Sequence, residues 1–296
     1  MRVIDLFAGC GGMTQGFQDA GFDVVAGFDN WGPAREIYGA NFSHPIYDLD
    51  LANEDAIEFL RGFSPDVVVG GPPCQDFSIS GKRIEGDRAN LTVQFARIVA
   101  QLKPTWVVFE NVYNVTRFES LTKMKNILAE SGYGFSSDVL DASYFGVPQA
   151  RRRFFLVGRK GEQDGFFDSF IEKGRSESRM SVRDYLGDTL GTDFYYMHPR
   201  SYNRRAVFSV DEPSATIRGI NRPIPKNYVM HHGDAAALNE GVRALTTRER
   251  ALIQTFPKEF KLPGSKTNVE LAIGNAVPPN LSRHLATRIK EYDELR

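Results

Sequence analysis

Residues 67–78 read VVVGGPPCQDFS: a short β-branched run, two glycines, two prolines, and then Cys74. A continuous apolar run of this length between turn residues reads as a buried parallel-sheet strand. In open α/β sheets the crevice beyond the carboxyl ends of such strands is where ligands bind. On this feature alone Cys74 is as well explained by a buried apolar thiol as by a reactive one. The next residues favour the reactive reading, because Asp76, Ser78, Ser80, Gly81, Lys82 and Arg83 form a polar, cationic segment unsuited to a core. A thiol beside it is accessible, and neighbouring cations favour its thiolate.

The first half of the chain alternates strand and helix. Val3 to Phe7 is strand-like, a turn comes next at Gly9, Gly11 and Gly12, and Met13 to Ala20 fits a short helix closed by Gly21. A second strand runs from Val24 to Phe28 and ends at Asp29. Helices are expected from Pro33 to about Phe42, from Ala52 to Phe63 and over Thr92–Leu102, and a strand over Trp106–Phe109 ends at Glu110 and Asn111; later in the chain Thr246 with Glu249 reads as a capping-box helix start, and 268–292 as one helical return after a turn at Asn275. Four strand ends thereby deliver Gly9, Asp29, Cys74 and Glu110 to one edge of a doubly wound, Rossmann-like α/β sheet.

With 296 residues the chain buries a sizeable core and is expected to divide into one large and one smaller domain. Two cysteines, Cys10 and Cys74, make no disulfide framework and no Cys-x-x-Cys metal signature, so no metal is expected. The start, MRVIDLFAG, enters a strand directly and has the pattern of neither a signal peptide nor a membrane span, which points to the cytoplasm. The net charge of -1 hides an asymmetry: residues 149–232 hold 15 Lys+Arg against 10 Asp+Glu, and the remainder 21 against 27. One surface that meets phosphates explains such a split, and so does an ordinary solvated basic loop.

The turn FAGCGG lets backbone approach a ligand, and Asp29 can accept hydrogen bonds from a ribose. Thr14 stands where the third glycine of a G-x-G-x-x-G pattern would fall, which disfavours a nicotinamide cofactor. The ordered series DLFAGCGG at 5–12, GGPPCQ at 70–75, ENV at 110–112, QARRR at 149–153, LTTRE at 245–249 and IGNAVPPN at 273–280 resembles the C5-cytosine DNA methyltransferases, bacterial in type, over nearly the whole chain. The resemblance implies a methyltransferase domain that binds S-adenosyl-L-methionine, residues 1–160 completed by 243–296, and a target-recognition domain over 161–242.

Residue roles come with that resemblance. Cys74 would be the nucleophile that adds to C6 of cytosine, and Glu110 would stabilise charge developing at N3; a temporary covalent bond splits one hard step into two easier ones. Arg151 and Arg153 alternate on a strand-like segment and would hold the cytosine O2 and the surroundings of the thiolate, with Arg152 facing the other way. Phe7, Gly9, Gly11, Gly12, Asp29, Asp48, Pro72, Asn275 and Ala276 would line the cofactor site. Asn30-Trp31 departs from the usual acidic-then-aromatic order, so Trp31 or a neighbour covers the adenine.

Gly81 to Asn90, with Gln75 and Ser78 before it and Lys82, Arg83 and Arg88 inside it, resembles the family's loop over a flipped base; Ala89 replaces a glycine usual there. A cytosine inside a duplex hides C6, so the target must be extruded. In the recognition segment Arg200, Arg204, Arg205, Arg218 and Arg222 are candidate DNA contacts, and Thr216 would touch backbone near the target. The implied partner is double-stranded DNA, and a cognate restriction endonuclease acting on the same site is compatible with this type. A monomer is expected for one asymmetric cleft. The competing readings are a tRNA-methylating relative and a non-catalytic DNA-binding module; the latter needs none of Cys74, Glu110, Arg151 and Arg153.

Overall fold

Val3, Ile4 and Leu6 of the first strand and Val67, Val68 and Val69 of the fourth are fully buried, and their side chains divide between two apolar layers. Strand side chains alternate between faces, so continuous burial along a strand means that helices cover both sides. The computed structural model describes residues 1–53, 55–73, 89–201, 203–238 and 241–296. Cys74, Gln75, Ser78, Lys82, Arg83 and Arg88 therefore lie outside the described residues.

The elements run β1 (Arg2–Leu6), α1 (Gly12–Asp19), β2 (Asp23–Phe28), α2 (Gly32–Asn41), β3 (Ile46–Tyr47), α3 (Ala56–Arg61), β4 (Val67–Gly70), α4 (Ala89–Leu102), β5 (Trp106–Val112), α5 (Glu119–Glu130), β6 (Tyr133–Asp141), β7 (Gln149–Ala150) and β8 (Arg152–Lys160). A seven-stranded sheet has the order β3-β2-β1-β4-β5-β8-β6. β3, β2, β1, β4 and β5 are parallel, and β8 runs antiparallel to both of its neighbours. The chain winds outward from β1 to β2 and β3 on one side, then returns to β4 and β5 on the other. The switch point falls between β1 and β4, where α/β sheets open their ligand crevice.

The second half supplies α6 (Asp168–Ile171), α7 (Val182–Leu186), β9 (Phe194–Tyr196), β10 (Val207–Ser209), β11 (Ser214–Ala215), β12 (Arg243–Ala244), α8 (Thr247–Ile253), α9 (Lys266–Asn275) and α10 (Pro279–Glu294). β10-β9-β12 form a small sheet, and β11 pairs with β7. Phe167 and Ile171 join the layer that holds Trp106 and Leu285, so the large core continues past residue 160. The expected capping box is present: Thr246 accepts from Glu249 N, and the Glu249 side chain accepts from Thr246 N.

Three boundaries differ from the sequence expectation. α3 covers only 56–61, α4 begins at Ala89, and the expected helical return over 268–292 is two helices, α9 and α10. Val277 precedes Pro278, and a residue before proline is pushed out of helical backbone, so the chain turns there. α10 then crosses α1 at close quarters, since a Cβ on Gly16 would lie 2.5 Å from the Pro279 carbonyl and from Arg283 N.

Candidate active site

Sheet register assembles the site. Leu6 pairs with Phe28 and with Gly70, and Gly70 with Phe109. One step on along these parallel strands come Phe7, Asp29, Gly71 and Glu110, side by side at the switch point. Three of the expected site residues thus share one row with Gly71, and Gly71 leads through Pro72 and Pro73 to Cys74.

The glycine turn and the residue that leads into it take left-handed backbone. Phe7 has φ of 58°, rare for an aromatic residue, and Gly9 and Gly11 are also left-handed at 55° and 91°. Such backbone persists where the surroundings over-determine it, and it clusters at ligand sites. A Cβ on Gly9 would meet nothing within 4 Å, so the cradle is open there. Gly12 answers a different need: a Cβ on it would lie 2.1 Å from the Val277 carbonyl, so the turn carrying Asn275 and Ala276 lies directly against the cradle.

Carboxylates hold this backbone. Asp29 accepts from Gly9 N and from Trp31 N, each at 2.8 Å, and burial pushes its pKa up against the pull of those two bonds. Arg35 donates to the Asp29 carbonyl at 3.1 Å and pairs with Asp48 at 2.7 Å, so Asp48 is exposed but tethered. Asn30 is exposed and Trp31 half-buried. Asp5, which the motif reading passed over, is fully buried and accepts from Thr14 N at 3.1 Å and from Thr14 Oγ1 at 2.7 Å. Gly11 at the N-terminus of α1 has no side chain to cap that helix, and Asp5 does so from the strand before it. Burial raises Asp5 to about 7, with the two Thr14 bonds opposing.

Glu110 is the buried acid of the site. The residue is 8% exposed, and a Cβ on Gly71 would lie 2.9 Å from its Oε2. Arg153 stands opposite Val112, two residues from the partner of Glu110 on the same face of β8, and its Nε reaches Glu110 Oε1 at 3.1 Å. Burial raises the Glu110 pKa, and the guanidiniums of Arg153 and then Arg151 oppose it. Beside it Asn111 Nδ2 donates to the Pro72 carbonyl at 3.3 Å and braces the turn that leads to Cys74. The other cysteine, Cys10, is buried, donates to the Ala272 carbonyl at 3.5 Å and has its thiol pushed up to about 12, so it is no nucleophile.

The two expected catalytic arginines separate. Arg151 lies between β7 and β8 rather than within a strand, is fully buried, and donates to the carbonyls of Ile217, Gly274 and Ala276, each at 2.9 Å. Strand alternation does not govern it, and these bonds make it a clamp between the segment after β11 and the turn beside the cradle. Arg152 faces away, over the Tyr113 ring at 5.1 Å.

Of the recognition-segment candidates, Arg200, Arg204 and Arg222 are exposed. Arg218 is half-buried and donates to the His198 carbonyl, and its pKa is lowered by burial and then by Arg200 and Arg204. Arg222 and Arg218 similarly act on His198, after burial, to lower its pKa. Two further expected DNA contacts also make internal bonds. Arg205 pairs with Glu212 at 2.5 Å and covers the Phe208 ring at 4.4 Å, and Thr216 donates to the Ala150 carbonyl at 2.8 Å.

A parallel sheet with a glycine cradle at its switch point and buried carboxyls beside it defines a nucleotide-type site. It suits a cationic methyl donor bearing a ribose: Gly9 leaves the space, and the Asp29 carboxyl stands beside it. The family model for C-5 cytosine-specific DNA methylases matches residues 1–291. The chain is 50% identical to the type II methyltransferase M.HindV of Haemophilus influenzae, over 99% of this chain and 98% of that one. It is also 50% identical to M.HgiDI of Herpetosiphon aurantiacus, over 99% and 95%. The crystal structure of the S. pombe Dnmt2 methyltransferase superposes with a TM-score of 0.74 at 18% identity, covering 99% of this chain and 98% of that one, which speaks to the fold. The chain belongs to the C-5 cytosine-specific DNA methylases, and its activity is that of a DNA cytosine-5 methyltransferase with S-adenosylmethionine as methyl donor. No helix among the described residues is long and apolar enough to cross a membrane.

Proposed function

We propose that this chain methylates C5 of a cytosine flipped out of a specific duplex DNA sequence, through a covalent bond between Cys74 and C6. The observation that carries the reading is Glu110: a buried carboxyl with a raised pKa, held by Arg153 and level with Gly71, from which the chain runs through two prolines to the thiol. A neutral carboxyl can donate to the cytosine N3 as the Cys74 thiolate forms its bond to C6, so that charge accumulates on C5 and not on the ring nitrogen. Bound S-adenosylmethionine supplies the methyl group as an electrophile. The C5 proton then passes to a base, the Cys74–C6 bond breaks, and Glu110 takes its proton back. Base extrusion is required because C6 is inaccessible within the stack.

For the cofactor, Phe7, Gly9, Gly11, Gly12, Asp29, Asn30, Trp31, Asp48, Pro72, Asn275 and Ala276 form the proposed site. Arg153 is the proposed electrostatic partner of Glu110, and Arg151 the anchor behind it. Arg200, Arg204, Arg218 and Arg222 are the proposed DNA contacts of a recognition domain over 161–242, with 1–160 and 243–296 as the catalytic domain. Gln75, Ser78, Lys82, Arg83 and Arg88 are proposed to meet DNA from the loop after Cys74. The names of the relatives support a place in restriction and modification, alongside an endonuclease of the same specificity, and we take the enzyme to act as a monomer.

Duplex DNA carrying 5-fluorocytosine at the target tests the mechanism, because fluorine cannot leave as the proton does. Wild-type protein incubated with S-adenosylmethionine and this DNA should give a denaturation-resistant adduct that Cys74→Ser does not. Turnover on ordinary DNA without any adduct on the fluorinated duplex would reject the covalent route.

A further inference from the structure

Residues 217–221 cross the surface of α9 without joining a sheet, and side chains of the surrounding elements hold their backbone. We propose that Arg250 and Glu270 are positioning residues for target recognition: their buried ion pair clamps this strap so that Arg218 and Arg222 keep one orientation toward DNA. The inference rests on the reading of those arginines as DNA contacts.

Arg250, on α8, donates Nη1 to the Ile220 carbonyl at 3.1 Å and Nη2 to the Arg218 carbonyl. Glu270, on α9, accepts at Oε1 from Asn221 Nδ2 at 2.8 Å and from the Thr247 hydroxyl at 2.7 Å. Their charges meet at Nε and Oε2, 2.8 Å apart, as a charge contact without hydrogen-bond alignment, and both side chains are 3% exposed. There is no slack beneath the strap: a Cβ on Gly219 would lie 2.6 Å from Leu271 Cδ1, and one on Gly274 would lie 2.2 Å from Gly219 N.

Stability explains such a pair poorly. Taking two charges out of water costs about as much as their attraction returns, and the best-attested use of a buried pair is to enforce one arrangement over its alternatives. The arrangement here needs enforcing. Arg218 stands near Arg200 and Arg204, and like charges so placed repel. With carbonyls 218 and 220 gripped from behind, the cation cannot relax away from its neighbours before an anion arrives. A planar guanidinium can serve both carbonyls and the carboxylate together, which an ammonium on a flexible stem cannot. Among the described residues, the hydrogen bonds of the pair go to the strap and Thr247, and none reaches the glycine turn or Glu110.

The test compares Arg250→Lys, the apolar pair Arg250→Met/Glu270→Met and Arg218→Ala in steady-state methylation of duplexes carrying the cognate site or a single-base variant. Arg218→Ala should raise KM for DNA about tenfold. Arg250→Lys and the apolar pair should raise KM for cognate DNA and erode preference over the variant site by a similar factor, about tenfold. kcat at saturating DNA and KM for S-adenosylmethionine should stay at wild-type values. Wild-type discrimination in Arg250→Lys or in a cooperatively folding apolar pair, with Arg218→Ala impaired, would overturn the positioning role alone. An unimpaired Arg218→Ala would remove the DNA contact and the positioning role with it.

Discussion

The catalytic edge and the recognition strap handle charge in opposite ways. At the edge, Asp5 and Glu110 are carboxyls whose ionisation burial opposes, each set at or just before a strand end. On the strap, Arg218 sits with Arg200 and Arg204 nearby, cations on a segment that side chains from other elements hold. A reaction centre profits from a neutral acid that can donate and reclaim a proton, whereas a surface proposed to meet phosphates profits from cations held in place until the ligand arrives. The edge is thus prepared by desolvation, and the strap by restraint.

The largest effect should fall on the edge. Cys74→Ser should lower the methylation rate about ten-thousandfold or more while leaving DNA affinity within about twofold. Filter binding beside transfer of labelled methyl measures both, and a joint fall would erase the division between chemistry and recognition.

Asp5 sharpens the desolvation side. Its folded-state value of about 7 lies above the ordinary 3.8, so the folded protein keeps a proton that the unfolded chain releases. That contribution is fully present below about pH 3.8 and lost as pH rises to about 7, worth at most about 4 kcal/mol. Urea midpoints measured from pH 4 to 8 should fall with rising pH more steeply in wild type than in Asp5→Asn, and parallel curves would show that Asp5 is not held neutral.

Glu110→Gln should cost about a hundredfold to a thousandfold in kcat, since the amide can donate but cannot release a proton. In wild type the neutral acid is lost as pH rises through its raised pKa, so the rate should carry a falling basic limb from this group. The same limb in Glu110→Gln would assign it elsewhere.

The smallest effect belongs to the exposed cations. Arg222→Ala should weaken DNA binding by about 1–3 kcal/mol without altering kcat. If Arg222 meets a phosphate, the slope of log affinity against log salt should drop by about 1; an unchanged slope with relaxed sequence preference would place it on a base edge.

Much of the edge was legible because it is built from contiguous segments. A β-branched run closed by glycines, repeated along the chain, specifies strand ends, and parallel register carries Phe7, Asp29 and Glu110 into one row. The capping box at Thr246 and Glu249 was equally readable, since both partners lie within four residues of chain. Asp5 was missed although it opens the motif: its work is to cap α1 in place of Gly11, a task that shows only once the turn is folded back. Arg35 was missed for the same reason, because its two acceptors, Asp29 and Asp48, meet only across α2.

By itself the sequence determined the parallel sheet, the crevice at its switch point and the chemistry of the residues brought there, because strand periodicity and glycine turns act over a few residues. Only the tertiary structure decided which of two neighbouring arginines faces Glu110 and which clamps three carbonyls, and that Arg205 and Thr216 are bonded inward. It also joined Arg250 and Glu270 behind the strap. Guanidinium side chains are long and alike in sequence, and which acceptor each one takes depends on chain segments packed against it from far along the sequence.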